Sequence, residues 1–100
     1  MRVVWTRPAL QDVSAIREYI ARDSPRYARA VAERLFATVD RLQDYPLSGR
    51  VVPELAQPTL PEVIAAPYRI VYRVRAEVVE IITVVHAARQ FPADDLSGAR

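Results

Sequence analysis

Arg69 and His86 are the residues whose types and placement could do chemistry together. A guanidinium grips a phosphate through paired N–H groups, and an imidazole exchanges protons near neutral pH. Arg69 lies in the run Tyr68 to Val74, and His86 closes the run Val78 to Val85. Both runs are rich in β-branched and aromatic residues, so they read as two strands of a hairpin. With Ala76-Glu77 as a two-residue turn, Arg75 faces Val78, Arg73 faces Glu80, Val71 faces Ile82 and Arg69 faces Val84. Alternation then puts Arg69, Arg73, Arg75, Glu80 and His86 on one sheet face. Tyr68, Ile70, Tyr72 and Val74 share the other face with Val79, Ile81, Thr83 and Val85. A phosphate-binding, proton-moving pair is one reading of Arg69 and His86. A solvated arginine and a hydrogen-bonded structural histidine fit the same spacing. Arg73 and Glu80 read as an ion pair on a wet face, worth well under ~1 kcal/mol. Ala-Glu lacks the Gly or Asn that such a turn prefers, and a three-residue loop would shift the whole assignment by one.

Composition narrows the chemistry further. There is no cysteine, which removes disulfides, thiolate nucleophiles and cysteine-based zinc sites. His86 is the one histidine and stands outside any acidic cluster, so neither a metal nor another cofactor is expected. All 14 basic residues are arginine, and the net charge is +2. That balance permits a nucleic acid or an acidic protein as partner without requiring either. The start, Met-Arg-Val-Val-Trp, turns polar at once, and the longest apolar runs are strand-sized. A cytoplasmic protein with no membrane partner is therefore expected.

The elements that must position these side chains follow from periodicity. Val3-Val4-Trp5 is a short strand. Thr6 can cap a helix and Pro8 suits its first turn, after which Leu10, Val13, Ile16 and Ile20 recur at helical spacing to about Arg22. Ser24-Pro25 opens a second helix, with Ala28, Val31, Ala32, Leu35, Val39 and Leu42 as its stripe, to about Asp44. Tyr19, Tyr27, Tyr45 and Trp5 read as core or helix-packing residues. Tyr45 to Arg50 is a loop, and Val51 to Pro61 carries three prolines and reads as extended and irregular. Glu62 to Ala65 is a weak strand candidate. The fold class is α+β, with a helical hairpin packed on a mostly antiparallel sheet in the order β-α-α-β-β-β. A single domain over residues 1–100 is expected, its tail from 93 to 100 frayed. The shared core is predicted from Leu10, Val13, Ile16, Val31, Leu35, Ile70, Tyr72, Ile81 and Val85.

Four segments carry a resemblance to a known family. They are Val4-Trp5-Thr6 with Ala9; Tyr19-Ile20-Ala21 with Asp23-Ser24-Pro25; Gly49-Arg50-Val51-Val52-Pro53-Glu54; and Tyr68 to Val74 ending in Val84-Val85-His86 with Arg89. In this order and spacing the chain resembles the RelE/ParE superfamily of type II toxins, often called plasmid stabilisation proteins. The resemblance covers Val3 to about Pro92, and it leans to ParE.

That resemblance implies a toxin neutralised in a hetero-oligomer by a cognate antitoxin, which wraps an extended, partly helical tail over it. ParE toxins act on DNA gyrase, whereas RelE-type relatives cut mRNA at the ribosome. Glu54, Arg69 and His86 fall roughly where the nucleolytic relatives place a carboxylate, an arginine and a histidine. The aromatic that follows the histidine there is replaced by Ala87 and Ala88, and the lysine-rich loop is missing. The ParE-like reading, which leads over the nuclease alternative, points to gyrase inhibition through the stretch around Arg89, Phe91 and Pro92, where an arginine and an aromatic could anchor a protein contact. An inactive toxin that only binds its antitoxin is the third reading.

Overall fold

The chain is described from a computed structural model over residues 1–52 and 60–88. Strand β1 (Arg2–Trp5) leads directly into helix α1 (Arg7–Ala21). Thr6 makes that junction. Its backbone N–H and its hydroxyl both donate to the Ile81 carbonyl, and the hydroxyl oxygen accepts from Ala9 N–H. One small side chain thus caps the helix and ties it to the sheet. Ser24 caps helix α2 (Pro25–Asp40) in the same way, accepting from Tyr27 N–H. A 3-10 turn, Arg41–Gln43, extends α2, so the helical stripe predicted to Asp44 continues in a tighter winding.

The remaining elements are strands β2 (Arg50–Val51), β3 (Pro61–Ala65), β4 (Tyr68–Arg75) and β5 (Val78–His86). They form a five-stranded sheet ordered β1-β5-β4-β3-β2, antiparallel except where β1 runs parallel to β5. The α+β class and the helical hairpin on a mostly antiparallel sheet are as the sequence predicts, with the two-residue β2 as the addition.

The turn at Ala76-Glu77 has two residues, with φ of 53° and 62°. Both are left-handed positions held by residues that carry a Cβ, so the hairpin keeps its register at a local backbone cost. Arg75 faces Val78 and Arg73 faces Glu80, as expected. Farther along the assignment fails. A β-bulge shifts the register between Val71 and Tyr72, so that Val71 faces Thr83, Arg69 faces Val85 and Tyr68 faces His86. The predicted pairs Val71–Ile82 and Arg69–Val84 are therefore incorrect. The bulge has a physical anchor in α1. Asp12 accepts both the Thr83 hydroxyl and the Val84 N–H, the backbone donor turned away from β4.

Two cores result. Between the helices and the sheet lie Val13, Val31, Leu35, Ile70, Tyr72 and Ile81, with Ile16 packed against them. On the opposite face Val52, Leu60, Val71, Ile82 and Val85 form a second cluster. Val85 thus leaves the core predicted for it, because the bulge inverts the alternation of everything after Ile82. Leu10 is a second correction: it is 46% exposed, the helix turning Ala9 and Val13 inward instead. Tyr19, Tyr27 and Tyr45 are also exposed rather than packed in the core. Trp5 meets the Phe36 ring at 5.0 Å, which fastens β1 to α2.

Candidate functional site

The bulge decides what the candidate residues can do together. Up to Ile81 the hairpin alternates as predicted; beyond it, Val84 belongs to the helix-side core and Val85 to the opposite cluster. His86, two residues past Val84, follows it to the helix side, where its ring meets Tyr68 edge-on at 5.8 Å. Its Nδ1 accepts the Ala88 N–H at 3.1 Å. Arg69 stays on the far face. The structure therefore separates Arg69 from His86 by the thickness of the sheet. Burial raises the Tyr68 phenol above its ordinary pKa, with nearby Tyr27 adding to the shift and Arg34 opposing it.

Arg69 instead belongs to an ion-pair cluster centred on Glu62. Glu62 is fully buried through its side chain, and Arg69 nearly so at 6% exposure. Arg69 Nε donates to Glu62 Oε1 at 2.7 Å, and Arg50 Nε donates to Oε2 at 2.8 Å. The strands place these groups side by side: Arg50 faces Glu62 across β2–β3, and Glu62 faces Val71, two residues from Arg69, across β3–β4. Each carboxylate oxygen is thus occupied by a charge-assisted bond. The carboxylate held between two guanidiniums is a structural link between three strands. Its effect is to fix the sheet register and the direction of the Arg50 side chain, which is 63% exposed.

Glu62 was not among the residues singled out from the sequence. The signal was present: one carboxylate inside the apolar run Pro61-Glu62-Val63-Ile64-Ala65 must either face water or find a cation. The same strand pairing that hides it brings the cations.

Tyr72 and Gly49 shape the neighbouring turn. The Tyr72 hydroxyl accepts from Gly49 N–H at 2.8 Å and donates to the Pro46 carbonyl at 3.0 Å. Burial raises this phenol's pKa, with the Gly49 bond pulling the other way. A Cβ at Gly49 would lie 2.7 Å from Tyr72 Cε1 and 2.8 Å from the Glu62 carbonyl, so the close approach requires glycine. On the far side of the sheet Arg73 Nε donates to Glu80 Oε1 at 3.1 Å, as the sequence suggests, and Arg75 approaches the same oxygen at 3.6 Å.

Glu54, Arg89, Phe91 and Pro92, together with the predicted frayed tail from 93 to 100, lie outside the described residues. Among the described residues no group of three His, Cys, Asp or Glu side chains could hold a metal ion. None of the described helices is long and apolar enough to cross a membrane.

The sequence profile of the ParE toxin of the type II toxin-antitoxin system parDE matches residues 3–91. The chain belongs to the ParE toxin family. It is 46% identical over 89 residues to Toxin RelE2 of Caulobacter vibrioides, covering 88% of this chain and 97% of that one. It is 42% identical over 92 residues to the putative toxin Y4kP of Sinorhizobium fredii, covering 91% and 93%. The fold agrees with a solved chain from the chromosomal ParDE system of P. aeruginosa at a TM-score of 0.72 and 23% identity, over 86% of this ParE-family chain and 95% of the other. The RelE/ParE resemblance read from the four sequence segments is thereby supported along nearly the whole chain.

Proposed function

We propose that this ParE-family chain is a single-domain cytoplasmic toxin that acts by binding, with DNA gyrase as its target and a cognate antitoxin as its neutralising partner. The observation that carries the binding reading is the separation of Arg69 and His86. Metal-free phosphodiester cleavage needs a base, an acid and a cation gathered around one phosphate. Here the histidine stands on the helix side against Tyr68, while the arginine is engaged by a buried carboxylate on the other face. The ParE family profile and the resemblance of the Val-Val-His-Ala-Ala-Arg ending support gyrase as the proposed target. Under this reading the contact to gyrase falls on the stretch around Arg89, Phe91 and Pro92.

Controlled expression in a growing culture tests the target. Gyrase poisoning is expected to induce the DNA-damage response and filamentation while protein synthesis continues. An immediate halt of translation with cleaved transcripts would instead support the ribosome-dependent nuclease.

A further inference from the structure

The two amides that follow β5 are both engaged, by different means. Ala87 N–H donates to the Pro67 carbonyl at 2.7 Å, which carries the pairing with the β4 side one residue past His86. Ala88 N–H leaves that ladder and donates to Nδ1 of His86 at 3.1 Å. A side-chain acceptor that takes the N–H two residues on closes an Asx-type turn. Nδ1 of histidine stands at the same number of bonds from Cα as Oδ1 of asparagine, so His86 makes that turn with a ring. The strand thus ends on a side-chain cap, and the chain turns at Ala87-Ala88 immediately before Arg89.

The surroundings hold the ring in this pose. His86 faces Tyr68 across β4–β5, and the two rings meet edge-on. Asp12 and Tyr19 of α1 line the same groove, together with Ile16 and Val84. Asp12, Tyr19 and Tyr68 are therefore the titratable groups that face the ring among the described residues. Asp12 Oδ2 accepts the Thr83 hydroxyl and the Val84 N–H, and the Tyr68 phenol has Tyr27 and Arg34 beside it. On β5 itself the ionisable neighbour is Glu80, toward the distal turn and bonded to Arg73.

The turn has one chemical condition. A ring nitrogen that accepts carries no proton, so the neutral imidazole bears its hydrogen on Nε2, whereas an imidazolium donates from both nitrogens. Protonation replaces the acceptor of Ala88 by a second donor facing an N–H, and the turn opens. Asparagine offers an equivalent acceptor and does not titrate between about pH 5 and 8, where imidazoles do.

We propose that His86 is a positioning residue: it ends β5 through the Ala88 N–H, sets the direction in which the chain enters the target-contact stretch, and does so only while its ring is neutral. This rests on the reading above that Arg89, Phe91 and Pro92 meet the target. The role differs from that of a nuclease histidine, because it requires an acceptor at Nδ1 and not a proton to give.

The test uses the purified, isotope-labelled full chain and purified gyrase. At about pH 8 a nuclear magnetic resonance coupling across the bond, between the Ala88 nitrogen and His86 Nδ1, is expected with the ring proton on Nε2, and it should vanish at about pH 5.5. A missing coupling at the alkaline end, or a ring proton on Nδ1, overturns the proposal without any variant. In the binding arm, the ratio of the parent's affinity for gyrase to that of His86→Asn is expected to fall about threefold over the same pH range, the effect of one exposed hydrogen bond. Taking the ratio cancels the titration of gyrase itself. His86→Ala, which cannot close the turn, should bind about threefold more weakly than the parent at the alkaline end and match it at the acid end. A ratio that does not move with pH overturns the proposal even where the coupling is seen. If no form binds gyrase at either pH, the target reading fails and takes the proposal with it, an outcome distinct from binding with an unchanged ratio.

Discussion

Two carboxylates on the same face of the sheet each sit between two arginines, and their surroundings make them different objects. Glu62, between Arg50 and Arg69, is fully buried through its side chain, and each of its oxygens has its own guanidinium. Glu80, between Arg73 and Arg75, is 23% exposed, and the distances to a single oxygen are 3.1 and 3.6 Å. Residue types alone do not separate them. What separates them is position: Glu62 lies on β3 opposite Val71, where the register shifts, and Glu80 near the distal turn. Desolvation makes the first cluster structurally decisive, and water makes the second nearly dispensable.

The largest expected effect comes from breaking the buried cluster. Glu62→Ala removes the carboxylate that Arg69 faces in a nearly dry setting and should cost about 3–5 kcal/mol in a urea melt. A loss under ~1 kcal/mol would erase the contrast. Tyr72→Phe, in the same half of the sheet, deletes the bond to Pro46 and strands the Gly49 N–H, for an expected loss of about 1–3 kcal/mol. It carries a pH signature as well. With its folded pKa raised above the unfolded value, Tyr72 contributes stability that is fully present below pH ~10 and is lost as pH rises through the folded pKa. The variant should therefore show a flatter alkaline limb than the parent in melts across that window.

At the distal end the effects shrink or change sign. Replacing Ala76-Glu77 by Asn-Gly relieves two left-handed residues and should stabilise the hairpin by about 1–2 kcal/mol, read as a higher midpoint. Glu80→Ala is expected to cost less than ~1 kcal/mol. A larger penalty there than at Glu62 would invert the comparison.

Much of this architecture was legible in the residues. Thr6-Arg7-Pro8 and Ser24-Pro25 announce helix starts by capping chemistry, and the stripe from Ala28 to Leu42 announces a buried helix face. The alternation Tyr68 to Val74 predicts a strand, and Arg73–Glu80 its register near the turn. The bulge was not legible, because its cause is a tertiary one. Asp12, 72 residues away from Val84, provides the acceptor for a backbone donor turned away from β4. One inserted residue then carried His86 to the other face and dissolved the constellation that spacing had suggested. Glu62 was missed for a related reason. Its role depends on a pairing between a two-residue strand and a strand whose sequence signal was weak.

The most direct test of the binding reading is His86→Ala, assayed with purified protein for inhibition of gyrase supercoiling and for mRNA cleavage on programmed ribosomes. A toxin that acts by binding should keep its gyrase inhibition within a few-fold in the variant and cut no mRNA in either form. Ribosome-dependent cleavage by the parent, lost on the order of a hundredfold or more in a folded His86→Ala protein, would contradict the account.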